Sequence, residues 1–138
     1  EDIPQSKILL SVKGLGKISV AAILSEIIDF HSFSTIREIN KYSGLNLYEV
    51  SSAKYQGKRR LAKRGRALLR KTLFFATLNM IRKGGIFHDL YQRHLDKGMP
   101  RMKAIVALSR KLLRMIFAIV RDQKDFNIEK IKTIKTAA

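Results

Sequence analysis

The sequence predicts an all-α fold: a compact multi-helix domain with an N-terminal helix-hairpin-helix-like motif and a long C-terminal amphipathic helix. Three observations carry that expectation. Apolar residues recur at helical spacing through most of the chain. The breaks fall at Gly14-Leu15-Gly16, at Gly44 and at Lys97-Gly98-Met99-Pro100, each separated from the next by room for helices. From Arg101 to Arg121, finally, Ile105, Leu108, Leu112, Met115 and Ile119 keep a 3-4-3-4 rhythm on one face. Lys103, Arg110, Arg114 and Arg121 fall almost opposite, so one face packs while the other presents charge.

The elements follow in order. A short helix over about Ser6 to Val12 comes after Pro4 and is broken at Gly14. A second runs from about Ser19 to Ile28, with Ala22, Ile23 and Ile27 among its apolar positions. Ser34 is a candidate cap for a third, Thr35 to Tyr42, which stops before Gly44. Residues 44 to 61 read as an extended loop that allows a short strand at Leu47 to Val50. Helices over about Lys63 to Arg82 and Phe87 to Leu95 precede the turn at Gly98, and the long helix closes the domain. Residues 1–122 thus form the helical domain. The basic tail, 123–138, is expected to be frayed or ordered only by a partner.

Composition narrows the function. The 138 residues are 46% hydrophobic, enough for one domain with a real core. The formal charge is +17 and the isoelectric point about 10.5, which suits a nucleic-acid partner better than a membrane surface or an acidic protein. No cysteine is present, which excludes disulfides and thiolate metal sites. No apolar run approaches the roughly 20 residues that span a bilayer. The start, Glu1-Asp2-Ile3-Pro4, is acidic and polar, unlike a secretory signal, and lacks a methionine, so a piece of a longer protein is expected.

Charge is most one-sided in the middle. Between Glu49 and Asp89 there is no acidic residue but there are eleven cations: Lys54, Lys58, Arg59, Arg60, Lys63, Arg64, Arg66, Arg70, Lys71, Arg82 and Lys83. Like charges raise the free energy of the compact state, so folding alone does not explain the run. A polyanion does. Cations at the start of a helix also oppose its dipole, a conflict that a bound phosphate removes. The plainer reading is a solvated basic face, but no acid nearby in sequence offers pairing.

Two further motifs carry chemistry. Lys13-Gly14-Leu15-Gly16-Lys17 resembles the helix-hairpin-helix DNA-binding element: the glycines permit a tight turn and close approach of a phosphate, and the next helix points free N–H groups at it. An ordinary helix connection is the alternative. In the loop before the basic run lie Ser51 and Ser52; arginines and lysines nearby would stabilise charge on a phosphate under serine attack, although two loop serines are commonly turn residues. His31, His88 and His94 lack metal-site spacing and read as structural.

The succession of Gly14-Leu15-Gly16 with Ala21-Ala22, Ser43-Gly44-Leu45, Ser51-Ser52, Lys63-Arg64-Gly65-Arg66 with Leu69-Arg70, and Arg110-Lys111-Leu112-Leu113 resembles one family over about residues 8 to 122. It is similar to the C-terminal domain of transposases of the insertion sequence 110 type, relatives of Piv-like DNA invertases. The resemblance implies a missing RuvC-like nuclease domain with four metal-binding acids, a divalent metal (Mg) held there and no cofactor in this fragment. It further implies DNA and a bridge RNA as partners, a homo-oligomer in the full-length protein, and a bacterial or archaeal cytoplasmic, nucleoid-associated setting without a membrane. A serine of the C-terminal domain would attack DNA and form a phosphoserine link. By position that is Ser52, with Ser51 close behind. The family commonly has glycine directly after the serine, whereas this chain has Ala53 and reaches glycine at Gly57. The expected nucleic-acid contacts are Lys13, Gly14, Gly16, Lys17, Lys58, Arg59, Arg60, Lys63, Arg64, Arg66 and Arg70. Two other readings remain: a non-catalytic helix-hairpin-helix module of a repair or junction-processing protein, and a ribosomal-type RNA-binding protein.

Overall fold

The long amphipathic helix of the sequence is the centre of the molecule. The computed structural model describes residues 4–27, 29–45, 47–52, 55–61 and 65–123, the segments 47–52 and 55–61 through their backbone. In order these are α1 (Pro4–Leu10), α2 (Lys17–Glu26), a 3-10 turn (Phe30–Ser32), α3 (Ile36–Ser43), β1 (Leu47–Ser52), β2 (Tyr55–Leu61), α4 (Ala67–Met80), α5 (His88–Asp96) and α6 (Arg101–Asp122). The fold is all-α in its packed body, as expected, with a β-hairpin inserted between α3 and α4.

α6 packs against α1, α3, α4, α5 and the 3-10 turn. Its predicted stripe is buried at Ile105, Leu108 and Leu112, while Met115 and Ile119 pack at the margin of the core. Ala104, Leu113, Ile116, Phe117 and Val120 are buried as well, because neighbours flank the stripe on both sides. α4 is the closest partner. At their contact the Ser109 hydroxyl reaches Thr77 Oγ1 at 3.2 Å and the Ile105 carbonyl at 2.9 Å, and Thr77 Oγ1 donates to the Leu73 carbonyl at 2.8 Å. These buried hydroxyls are therefore satisfied rather than costly. No described helix is long and apolar enough to cross a membrane.

Three local expectations change. Thr35, not Ser34, caps α3: its Oγ1 accepts from the Glu38 N–H at 3.3 Å, and the Glu38 carboxylate accepts from the Ser34 N–H at 2.9 Å and hydroxyl at 3.0 Å. Both residues are capping types, but only Thr35 stands three before a glutamate, as a capping box requires. The hydrogen bonds from Ser34, backbone first, hold the Glu38 carboxyl below its ordinary pKa.

The expected loop is a hairpin. β1 and β2 pair antiparallel, Leu47 with Leu61, Tyr48 with Arg60, Glu49 with Arg59, Ser51 with Gln56 and Ser52 with Tyr55. Between Glu49 and Ser51 the register advances two residues on β1 and three on β2, a bulge that sets Gly57 and Lys58 against Val50. Among the described residues the strands pack chiefly on each other.

α4 begins at Ala67 instead of Lys63, and Lys63 and Arg64 lie outside the described residues, as does the tail from 124. Gly65 accounts for the late start. Its φ of +122° is far from helical, and a Cβ there would collide with the Tyr42 carbonyl oxygen. Gly65→Ala should therefore cost about 1–3 kcal/mol of stability, read as a lower urea midpoint at unchanged slope. An unshifted midpoint would mean that the hairpin root rearranges freely.

Candidate nucleic-acid interface

The turn between α1 and α2 gathers the first set of expected contacts. After α1 the Leu15 N–H donates to the Val12 carbonyl at 3.0 Å, and Leu15 is buried between the helices. Gly14 has φ +109°, and a Cβ there would meet Met80 Cγ at 2.8 Å, so the turn lies tight against the end of α4. Gly16 is the N-cap of α2 and provides no side-chain cap. The first amides of α2 consequently lack intrahelical acceptors, and Lys13 and Lys17 beside them are exposed. Backbone donors and two cations converge there, an arrangement that suits an oxyanion. Ile18 in the same turn is 88% exposed.

Arg66 and Arg70 sit at the other end of α4. Arg66 Nε donates to Glu26 Oε2 at 3.0 Å, its guanidinium lies 5.7 Å from the centre of the Tyr42 ring, and its backbone N–H donates to the Tyr42 carbonyl at 2.9 Å. The Tyr42 hydroxyl donates to the Glu26 carbonyl at 2.7 Å. Phe33 meets the Tyr42 ring edge-on at 5.2 Å. Arg70 Nη1 reaches the Ser43 carbonyl at 3.4 Å. No acid nearby in sequence offers pairing to the basic run, yet Arg66 has a partner that folding brings to it from forty residues away. Glu26 stands in the last turn of α2, where a carboxylate opposes the helix dipole, and Arg66 offsets it. With the Arg66 side chain 51% exposed, the pair contributes at most about 1 kcal/mol.

These two cationic groups are not one site. α4 has 14 residues, so its ends are about 20 Å apart at 1.5 Å per residue. Arg82 and Lys83, both exposed, follow α4 and belong with the Lys13 end, a grouping that linear sequence hides. Lys58, Arg59 and Arg60 lie on β2, but the register sets Arg59 against Glu49 and Arg60 against Tyr48, with Lys58 in the bulge opposite Val50; Ser51 and Ser52 stand against Gln56 and Tyr55 instead. Ser52 and Tyr55 are the last pair before the connection.

A third positive face, on α5 and α6, was visible in sequence only as the stripe containing Lys103, Arg110, Arg114 and Arg121. Burial lowers the pKa of Arg110 and of Lys111, and the charge of Arg114 adds to both. Arg110 Nε is buried without a hydrogen-bond partner. His94 is lowered by burial first, then by Lys97 and Lys111. The His88 ring instead bonds the Ile81 carbonyl at 3.0 Å through Nδ1, a structural role.

Residues 6–92 match the family described as transposase IS116/IS110/IS902. The chain is 26% identical over 133 residues to the pilin gene-inverting protein of Moraxella bovis, covering 89% of this chain and 39% of that protein, and equally so to the one of Moraxella lacunata. It is 25% identical over 119 residues to an insertion element IS110 protein of Streptomyces coelicolor, covering 86% of this chain and 29% of that protein. The chain therefore spans about two fifths or less of these relatives' length.

The lowered pKa of His94 fixes the sign of a pH effect. The unfolded chain takes up the proton first as pH falls, so stability is full above about pH 6.5 and declines below it. His94→Gln should flatten the fall in Tm between about pH 7 and pH 5; parallel curves for the two proteins would exclude that origin.

Proposed function

The chain belongs to the transposase IS116/IS110/IS902 family, and from that premise we propose that it is the DNA-binding part of a recombinase whose hairpin supplies the nucleophilic serine. One observation supports this most. Ser51 and Ser52 end β1 and Lys58, Arg59 and Arg60 lie on β2, with Lys58 in the bulge just before the Ser51 pair and the two arginines further toward the root, so an attacking hydroxyl and phosphate-binding cations share one hairpin. In the proposed step the Ser52 hydroxyl loses its proton and its oxygen attacks a backbone phosphorus. The strand becomes linked to the serine and one sugar hydroxyl departs; cations of the same hairpin stabilise the charge that builds on the phosphate. Because a phosphodiester replaces a phosphodiester, the step is readily reversed, as strand exchange needs.

The Lys13–Lys17 turn is proposed to hold a DNA phosphate on the open amides of α2, in the manner of a helix-hairpin-helix element. Separated cationic ends of α4 suit two strands, or DNA together with the guide RNA that the resemblance implies. The ligands of a divalent metal are proposed to come from the RuvC-like portion, a reading supported by there being, among the described residues, no three of His, Asp and Glu placed to hold a metal ion.

In the full-length protein, Ser52→Ala should leave DNA binding nearly intact and abolish the covalent DNA adduct on a denaturing gel. Strand transfer that survived in both Ser51→Ala and Ser52→Ala would remove the serine from the mechanism. Replacing Arg59, Arg60 and Arg64 by glutamine should weaken binding and reduce the slope of log K against log salt by about two to three, as three lost phosphate contacts imply. A slope equal to that of the unaltered protein would refute those contacts.

A further inference from the structure

A cleft of about 240 Å³ opens between α4 and α6, at the point where α3 hands over to the hairpin. Leu45, Phe74 and Val106 form apolar walls, and Arg70 and Lys71 belong to the same lining. Leu45 is fully buried, Phe74, Val106 and Arg70 are half-buried, and Lys71 is exposed. The combination extends outward along α4. Phe75, 53% exposed, meets Phe74 edge-on at 5.9 Å, and Lys71 Nζ lies 6.0 Å from the Phe75 ring; Leu68, two turns before Phe75, is 51% exposed.

A closed core does not need cations in its apolar recess, and a solvated basic face does not need exposed aromatic rings. Both together describe a ligand with a flat apolar face and a negative charge. Sites for drug-sized molecules measure about 300–1,000 Å³, so this cleft suits something smaller. A single nucleobase with its phosphate meets each requirement: the base lies against Phe74 and Val106, and the phosphate lies at Arg70 and Lys71. A base inside a duplex hides both faces in the stack, so only an unpaired one can present itself to the wall.

Resting on the nucleic-acid reading above, we propose that the α4–α6 cleft receives one unpaired nucleotide of the bound nucleic acid. The cleft lies where the serine-bearing hairpin leaves the body. A captured base would therefore fix the position of the strand relative to that hairpin, which phosphate contacts alone do not do, since every phosphate is alike.

The test uses the 138-residue chain and two short DNA duplexes, matched except that one carries a single unpaired 2-aminopurine. The bulged duplex should bind about tenfold more tightly, the effect of stacking one base on an aromatic ring, and its emission should change on binding as the base exchanges its neighbours in the duplex for the cleft wall. Val106→Trp fills the cleft and should bring the ratio of affinities to about one while the plain duplex binds as before. Lys71→Gln, at an exposed position that folding tolerates, should lower the ratio also and decides the matter if Val106→Trp does not fold. Equal binding of both duplexes by the unaltered chain overturns the cleft proposal and leaves the general nucleic-acid reading standing. Binding of neither overturns both. A ratio that persists in Lys71→Gln, or in a folded Val106→Trp, overturns the cleft alone.

Discussion

The burial of α6 is the constraint on which the other elements depend. A helix of 22 residues that packs against four other helices and a 3-10 turn leaves each neighbour only one apolar face to hide. Their outer faces are then free to carry charge. That freedom matters because a formal charge of +17 works against compaction, and the apolar contacts along α6 must offset the repulsion. The hydroxyl pair of Ser109 and Thr77 fits the same logic: it places polar atoms at the tightest helix contact without leaving either unsatisfied.

Where the core ends, a second device takes over. The hairpin leaves after Leu45, whose N–H donates to the Asn40 carbonyl at 3.0 Å, and returns at Arg66, whose N–H donates to the Tyr42 carbonyl at 2.9 Å. Both legs are thus tied to the last turn of α3. Glu26, Tyr42 and Arg66 add a side-chain knot joining α2, α3 and α4. A strand pair that packs mainly on itself would gain little from the helical body, so its two roots supply the fixed geometry. The bulge at Gly57 and Lys58 falls between those roots and the outer end, where the two serines are placed.

Much of this was legible in the sequence, and the misses have physical causes. The α6 stripe, the break at Gly14 to Gly16 and the stop at Gly44 are local signals, and each is found where the residues place it. The hairpin was missed because Tyr55 to Leu61 contains a glycine and three successive cations, poor strand formers, and Ala53-Lys54 lacks the Asn-Gly type of turn signal. The partner of Arg66 was missed because Glu26 is near only after folding. The cleft was invisible for the same reason: Leu45, Phe74 and Val106 come from three separate segments. Motif order, by contrast, revealed the family, because the succession of short patterns survives where any single one is weak.

The length of α4 sets a ruler on the surface. Its two ends, one beside Lys13 and Arg82 and the other beside Arg66, stand about 20 Å apart, a little more than half a helical turn of B-form DNA. A straight duplex laid along this helix would offer one groove to the first end and the opposite groove to the second. Touching both with the same strand would require the double helix to bend, unwind or come apart between them.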